Sequence, residues 1–357
     1  MYTSFKIENF RGFDHLELDD LARINLIAGK NNVGKTSLLE AIFINTGHFN
    51  YEVLRRKRSN GKNPSQLSSA SLFHNLEVKK HLTIDSCIDG ATGREVEISY
   101  YENINDLSDD EHFERLTKPF LAAIDFDGVE LNQWRILKFL YSDGKKISAG
   151  FAIELLIFSM VNIDIEPFNI VFVASSGITS PKVSNAELYS ALLLEDITAN
   201  QTRLVEALRI LEPRLDSITI LTLGDSNVIH GQIGNQLMPL NAMGEGVERV
   251  TEMILAIGKA QNGILLIDEI ENGLHYSVLE EVWKVIAKAA RDFNVQIFAT
   301  THSLETIRAA HQAFSESDTY DFRYHRLDRR KSGQITASSY DQETMQAAVE
   351  MDFEIRG

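Results

Sequence analysis

Positive charge is in deficit: 35 Lys and Arg stand against 51 Asp and Glu, a formal net charge of −16. That balance argues against a surface that is a nucleic-acid footprint throughout, although a local basic groove stays compatible with it. Cysteine is nearly missing. Cys87 stands alone, which rules out an internal disulfide and fits a reducing cytoplasm. Long apolar runs are missing too. The longest, near Phe151–Val161, is short and broken by Glu154, so no membrane span is expected. Met1-Tyr2-Thr3-Ser4 leads straight into a predicted strand, so no signal peptide is expected either. There is no internal repeat and no low-complexity tract. What is left is a globular chain of 357 residues, 44% apolar, with room for one large or two moderate domains.

Against that background one stretch stands out: Gly29-Lys30-Asn31-Asn32-Val33-Gly34-Lys35-Thr36. It fits the P-loop pattern of two spaced glycines followed by Lys and Thr. Ile24-Asn25-Leu26-Ile27-Ala28 ahead of it reads as a short buried strand. Ser37-Leu38-Leu39-Glu40-Ala41-Ile42-Phe43 behind it reads as a helix with no Gly or Pro to stop it. A glycine turn before a helix is the plainer reading of a lone match, but this context is the one the motif needs. Gly29 and Gly34 let backbone N–H groups approach phosphate oxygens, and the helix aims its positive end at the same place. Lys35 would reach the β- and γ-phosphates, and the Thr36 hydroxyl would hold Mg²⁺.

The opening segments, Phe5–Phe10 and His15–Leu18, alternate as strands do, so a small β-meander is expected to lead into the P-loop. Between about Gly47 and Pro167 the composition changes. Arg55-Arg56-Lys57-Arg58 precedes a polar stretch and reads as a solvated face, with phosphate or nucleic-acid contact as the alternative. His81–Asp89 and Arg94–Glu102 form one hairpin signal, Arg135–Tyr141 and Lys146–Ile153 another, and Asn105–Glu114 an acidic loop. Asn169–Ala174 reads as a buried strand, Val183–Leu215 as a long helical stretch, and Ser217–Leu223 and Val228–Ile233 as further strands.

A second group of motifs follows. Gly263-Ile264-Leu265-Leu266-Ile267-Asp268-Glu269 is an apolar run ending in two carboxylates, as a central parallel strand would end at a ligand-bearing sheet edge. Asp268 would enter the Mg²⁺ shell, and Glu269 could polarise a water against the γ-phosphate. Gln296–Ser303 is another buried strand, ending in Thr301-His302-Ser303. A helix near Ser277–Phe293 lies between, so a right-handed crossover would bring His302 to the same edge. Met243-Gly244-Glu245-Gly246-Val247-Glu248-Arg249 precedes a predicted helix Val250–Lys259. It reads as a second anion loop, most economically for a nucleotide held by another copy of the chain.

In this order the motifs resemble the ATP-binding-cassette head ATPases, within them the SMC/RecF-like group, and most closely the OLD-type (overcoming-lysogenization-defect) ATPases. The similar segments are Ile7–Phe13, Gly29–Ala41, Met243–Arg249, Leu266–His275 and Ala299–Ser303, about half the chain at its two ends. The resemblance implies an α/β fold: an ABC-type P-loop NTPase head with an N-terminal β-meander, a mixed, largely parallel core sheet flanked by helices, and a β-rich insert. The head would comprise 1–46 and 168–357, the insert 47–167, and a helical subdomain 182–215.

It also implies a composite site for ATP and Mg²⁺. One copy would supply Arg11, Gly29, Asn31, Asn32, Val33, Gly34, Lys35, Thr36 and Ser37, with Asp268, Glu269 and His302. The other would supply Gly244, Glu245 and Gly246. Lys35, Glu269 and His302 would carry the chemistry; Thr36 and Asp268 would hold the metal. The partners implied are a second copy or a larger homo-oligomer, and a separately encoded effector such as a nuclease, with a role in prokaryotic anti-phage defence. A RecF-like DNA-repair ATPase, with nucleic acid as partner, is the alternative. The sequence departs from the family in placing Gly244 where Ser is frequent, and in showing no clear Q-loop glutamine. About 50 residues follow Ser303, too few for the Toprim domain of OLD nucleases, and Asp321, Asp328 and Asp341 show no metal-ligand spacing.

Overall fold

The computed structural model describes residues 1–48, 69–102, 104–107, 135–154, 159–161, 167–174, 177–180, 184–223 and 226–351. The Arg55–Arg58 run and most of the Asn105–Glu114 stretch lie outside them. The chain divides into two compact units. The first holds Met1–Asp20, Asn32–Phe168 and Leu327–Ser338; the second holds Leu21–Asn31, Asn169–Arg326 and Ser339–Gly357.

In the first unit β1 (Tyr2–Phe10) and β2 (Phe13–Leu18) form an antiparallel pair, with Phe5 opposite Leu18 and Ile7 opposite Leu16. The expected meander ends there: β3 (Ile24–Ala28) belongs to the second unit's sheet. The helix α1 (Lys35–Asn45) follows the P-loop, and Leu38 through Asn45 are all buried, as its lack of a polar face requires. The other edge of β1 pairs with β4 (Leu82–Ile88), and the sheet continues through β5 (Ala91–Tyr101), β6 (Arg135–Ser142), β7 (Ile147–Glu154) and β8 (Ser159–Val161). Its order is β2-β1-β4-β5-β6-β7-β8. The two-residue turn between β4 and β5 takes positive φ at both Asp89 (49°) and Gly90 (76°), the twist that suits a tight hairpin. Asn45 ties the end of α1 to this sheet: its Nδ2 donates to the carbonyls of Ile84 (2.9 Å) and Arg94 (2.8 Å).

The second unit is built on a sheet ordered β10-β9-β14-β15-β3-β16-β17. In chain order its elements are β9 (Ile170–Ala174), β10 (Gly177–Ser180), α2 (Asn185–Glu195), α3 (Ile197–Leu208), β11 (Ser217–Leu223), β12 (Ser226–Ile233), β13 (Gln236–Pro239), α4 (Glu245–Lys259), β14 (Ile264–Ile267), α5 (Leu279–Asp292), β15 (Gln296–Thr300), α6 (Leu304–Ser315), β16 (Phe322–Arg329), β17 (Ile335–Tyr340) and α7 (Gln342–Glu350). The end of β16 from Leu327 and most of β17, to Ser338, belong to the first unit. Neighbouring strands from β9 to β16 run parallel, and every residue of β3, β14 and β15 is buried. Continuous apolar runs are what a sheet covered on both faces selects. Against it α5 buries Leu279, Val282, Trp283, Ile286, Ala287 and Ala290, a single helical stripe. A separate three-stranded sheet is ordered β11-β12-β13.

The expected long helix over Val183–Leu215 is two. Asp196 is extended (φ −157°, ψ 101°), and its side chain accepts the Ala199 N–H at 2.9 Å, capping α3. An Asp in a helical period competes with the helix for its own backbone, and here it starts a new one. Among the described residues no helix is long and apolar enough to cross a membrane.

Candidate functional site

The P-loop leaves the second unit at Asn31 and enters the first at Asn32. Gly29 (φ 146°), Asn32 (φ 65°) and Gly34 (φ 97°) take backbone conformations that favour Gly or Asn. Gly34 caps α1 without a side-chain hydrogen bond, and the first turn, Lys35-Thr36-Ser37, carries no acidic residue. The cap residue therefore takes up none of the helix's first N–H groups with a side chain, and no carboxylate within the first turn answers its dipole. That arrangement receives an anion. Arg329 steadies the loop from outside, its Nη2 donating to the Asn32 carbonyl at 3.0 Å.

Arg11, also expected at the nucleotide, makes a contact with the P-loop helix. Its guanidinium pairs with Glu40 of α1 at 2.9 Å, both side chains being almost fully buried. Asn9 braces the turn that carries it: Oδ1 accepts the His74 N–H, and Nδ2 donates to the carbonyls of Glu77 and Lys80. The turn is thus coupled to the P-loop helix through an ion pair.

The second unit assembles the remaining residues on the C-terminal edge of its parallel strands. Ile27 lies opposite Thr300, and Ile267 opposite Ala299. The strand ends therefore deliver Gly29, Asp268 and Thr301 to one edge. Asp268 is 1% exposed. The Thr300 hydroxyl donates to Asp268 Oδ1 at 2.6 Å and accepts the Glu269 N–H at 2.9 Å. Glu269 has φ 54°, a strained choice for a non-glycine residue, and its Oε2 accepts from Asn272 Nδ2 at 3.0 Å. His302 meets a different carboxylate. Glu271 Oε1 accepts the His302 backbone N–H at 2.9 Å and lies 3.1 Å from its Nδ1.

Sequence reasoning missed Thr300, Glu271 and Asn272. Thr300 left a signal, a hydroxyl closing the apolar run Ile297-Phe298-Ala299. Glu271 and Asn272 left none, because their partners are set by strand register and a tight turn.

The second glycine segment is part of a helix, not a loop before one. α4 starts at Glu245, five residues ahead of expectation, with Gly244 (φ 129°) as its cap. The segment packs on the turn after Glu269: a Cβ on Gly246 would lie 3.3 Å from the Gly273 carbonyl oxygen. Unlike α1, its first turn contains Glu245 and Glu248. Those carboxylates already answer the helix dipole, so an anion there depends on the backbone N–H groups alone. Of the late acidic residues, Asp321 binds Arg291 and Asp341 caps α7. Among the described residues no cluster of three or more His, Cys, Asp or Glu is arranged to hold a metal.

The AAA ATPase domain family matches residues 1–163 and 195–307, a span that includes both glycine segments, Asp268, Glu269 and His302. The chain belongs to this family. The ATPase is similar over nearly its whole length to the ATP/GTP phosphatase of Helicobacter pylori, 24% identical over 341 residues, 89% of this chain and 90% of that protein. A shorter stretch of 42 residues is 43% identical to the DNA replication and repair protein RecF of Bacillus mycoides, covering 12% of this chain and 11% of that one. Among solved structures, a Smc head bound to the C-terminal winged-helix domain of ScpA superposes with a TM-score of 0.53 at 13% identity, covering 97% of this chain and 99% of that one. A Smc head with an extended coiled coil, bound to the C-terminal domain of ScpA from Pyrococcus furiosus, gives 0.52 at 12%, covering 99% of each. The fold of this ATPase is accordingly that of an ABC-type P-loop head.

Proposed function

We propose that the protein is a Mg²⁺-dependent ATPase that dimerises, or assembles further, around ATP and so regulates a separately encoded effector in anti-phage defence, as OLD-type ATPases would. The observation that carries the ATPase part is the second unit's sheet edge, where Thr300 fixes Asp268 and Glu269 beside the strand that gives onto Gly29. Gly29, Asn31, Asn32, Val33, Gly34 and Ser37 offer backbone and cap groups to the phosphates, and Lys35 neutralises them. Arg11 acts on α1 through Glu40. Thr36 and Asp268 would hold Mg²⁺, which when bound draws charge from the phosphate oxygens. Glu269, its carboxylate steered by Asn272, orients the attacking water, and His302 binds near the γ-phosphate. Gly244, Glu245 and Gly246 would face a nucleotide held by a second copy. We assign the protein to the cytoplasm, with 47–167 as an insert in an ATPase head and 182–215 as its helical subdomain.

The effector reading rests on the OLD-type resemblance, and the Smc heads solved with ScpA domains are consistent with a head that engages a partner. The RecF match favours a second reading, a DNA-structure-binding ATPase. Salt-dependent DNA binding by the purified chain, with a slope of several ions, would support that reading instead.

The deciding experiment measures nucleotide binding, turnover and mass together. Wild type should hydrolyse ATP, Lys35→Ala should not bind it, and Glu269→Gln should bind it, turn over slowly and gain mass as an ATP-held assembly. Gly246→Arg should bind ATP yet lose cooperative turnover. Unchanged ATP affinity in Lys35→Ala would remove the P-loop assignment, and full turnover in Glu269→Gln would remove Glu269 from its role.

A further inference from the structure

Two carboxylates follow Asp268 in close succession, and the structure gives them different work. Glu269 is the one that its place next to Asp268 makes the expected partner of the reaction. Its carboxylate is taken by Asn272, at 3.0 Å. His302 pairs with Glu271. One oxygen, Oε1, receives the backbone N–H of His302 (2.9 Å) and lies 3.1 Å from its ring Nδ1.

The surroundings of Glu271 sharpen this. Its side chain is 11% exposed, against 55% for the His302 ring. Its second oxygen, Oε2, is buried with no hydrogen-bond partner. Among the described residues, then, the carboxylate of Glu271 has no hydrogen-bond or ion-pair partner except His302. A carboxylate kept in so dry a place without a second donor is an expensive way to prop a loop, because an amide would do that with less desolvation. It is explicable if its work is on the imidazole.

The chemistry of the contact decides what that work is. The Oε1 lone pairs face Nδ1 at 3.1 Å, and two facing lone pairs would repel, so the contact favours the proton on Nδ1. In neutral imidazole one nitrogen carries the proton and the other is an acceptor, and the partner of one nitrogen sets the state of the other. Among the described residues Nε2 has no hydrogen-bond partner. We infer that Glu271 is a positioning residue for His302: it holds the ring through Nδ1–H and leaves Nε2 as an acceptor, able to take a hydrogen bond from the attacking water but not from a phosphate oxygen. This rests on the ATPase reading for its consequence, though not for the geometry. Glu271 does not touch the substrate. It acts through His302, while Glu269 acts separately on the water.

The test has a spectroscopic arm and a kinetic arm. In the unliganded full chain labelled with ¹⁵N-histidine, the His302 signal is assigned by its loss in His302→Ala. It should show the proton on Nδ1, and Glu271→Ala should shift it toward the Nε2–H form that free imidazole favours. A wild-type ring protonated on Nε2 overturns the inference, whatever the protein hydrolyses. In turnover, Glu271→Ala should lower kcat roughly tenfold or more with nucleotide affinity nearly unchanged. In a His302→Ala background the same change should alter kcat less than about twofold. Equal losses with and without His302 would show that Glu271 acts on something else, and overturn it. Glu271→Gln covers the case in which the alanine variant folds poorly. Its amide oxygen can still accept from Nδ1–H, so it should lie between wild type and Glu271→Ala in kcat at an unchanged unfolding midpoint. A Gln variant no better than Ala, with the midpoint kept, counts against the inference. Absence of ATP turnover in wild type would sink the ATPase reading and leave the tautomer result standing, so the two failures are distinct.

Discussion

The ring of Phe13 stands against Gly34: a Cβ built on Gly34 would lie 2.7 Å from Phe13 Cζ and 2.9 Å from Cε1. Phe13 is fully buried, so it has no room to withdraw. Gly34 also sits at φ 97°, where side chains are disfavoured. Two independent penalties therefore fall on one substitution at the cap of the P-loop helix. Gly34→Ala should reduce stability by about 2 kcal/mol and weaken nucleotide binding at least roughly tenfold, because the same cap sets the N–H groups that would receive phosphate. Urea unfolding and a fluorescent-nucleotide titration measure the two effects. A variant with wild-type values for both would show that the ring and the loop yield easily.

Thr300 joins the two carboxylate-bearing positions by one hydroxyl, donating to Asp268 and accepting from the Glu269 N–H. Thr300→Val keeps the shape and removes both bonds. The change should lower stability by about 2 kcal/mol and kcat by roughly tenfold or more, since Asp268 loses its steering donor and the Glu269 turn loses an acceptor. Thr300→Ser, which keeps the hydroxyl, should stay close to wild type. Steady-state ATPase rates on the two variants decide it: equal rates in Val and Ser would mean that the hydroxyl steers nothing.

Arg11 and Glu40 form a buried pair at 2.9 Å, with side chains 5% and 3% exposed. Arg11→Met alone strands the Glu40 carboxylate in a dry site without that cation, and should destabilise the fold by about 3–5 kcal/mol. Arg11→Met with Glu40→Leu removes both charges and should recover much of that loss. Because this pair ties Arg11 to α1 and both charges leave together, the double variant should keep ATP affinity within about threefold of wild type. Isothermal titration of the double variant is the informative measurement. A large loss of affinity in a stable double variant would return Arg11 to the nucleotide itself.

These residues also show what could be read without coordinates. The P-loop was legible because its chemistry is local: two glycines, a Lys, a Thr and the flanking periods lie within one short segment. β14 was legible for the same reason, as an apolar run ending in Asp268. The pairing of His302 with Glu271 was not, because the two residues lie 31 positions apart and their meeting depends on the register of β14 against β15. The break at Asp196 was missed because a charged residue on a helical period also fits a solvent-facing position. The early start of α4 was missed because Gly244 caps without a side chain, so no Ser or Asp announced it.

His325 lies in β16 with no exposed surface, its Nδ1 2.8 Å from Ser339 Oγ and its Nε2 3.4 Å from Asn25 Oδ1. Burial, with a smaller push from the Arg323 charge, lowers its pKa to about 3. Unfolded, the same imidazole would titrate near 6.5. Between those values the unfolded chain binds a proton that the native one refuses, so stability is retained above 6.5 and falls as the pH drops from 6.5 toward 3. The slope from this one residue approaches about 1.4 kcal/mol per pH unit. His325→Gln, which has a side-chain amide for the Ser339 and Asn25 contacts and no titration, should lose some stability at pH 8 yet decline less steeply between pH 6.5 and 4.5. Urea melts of both proteins across that range give the difference in slope directly. Parallel curves would mean that His325 takes up its proton in the folded protein, and that the interior between β3, β16 and β17 is wetter than its burial implies.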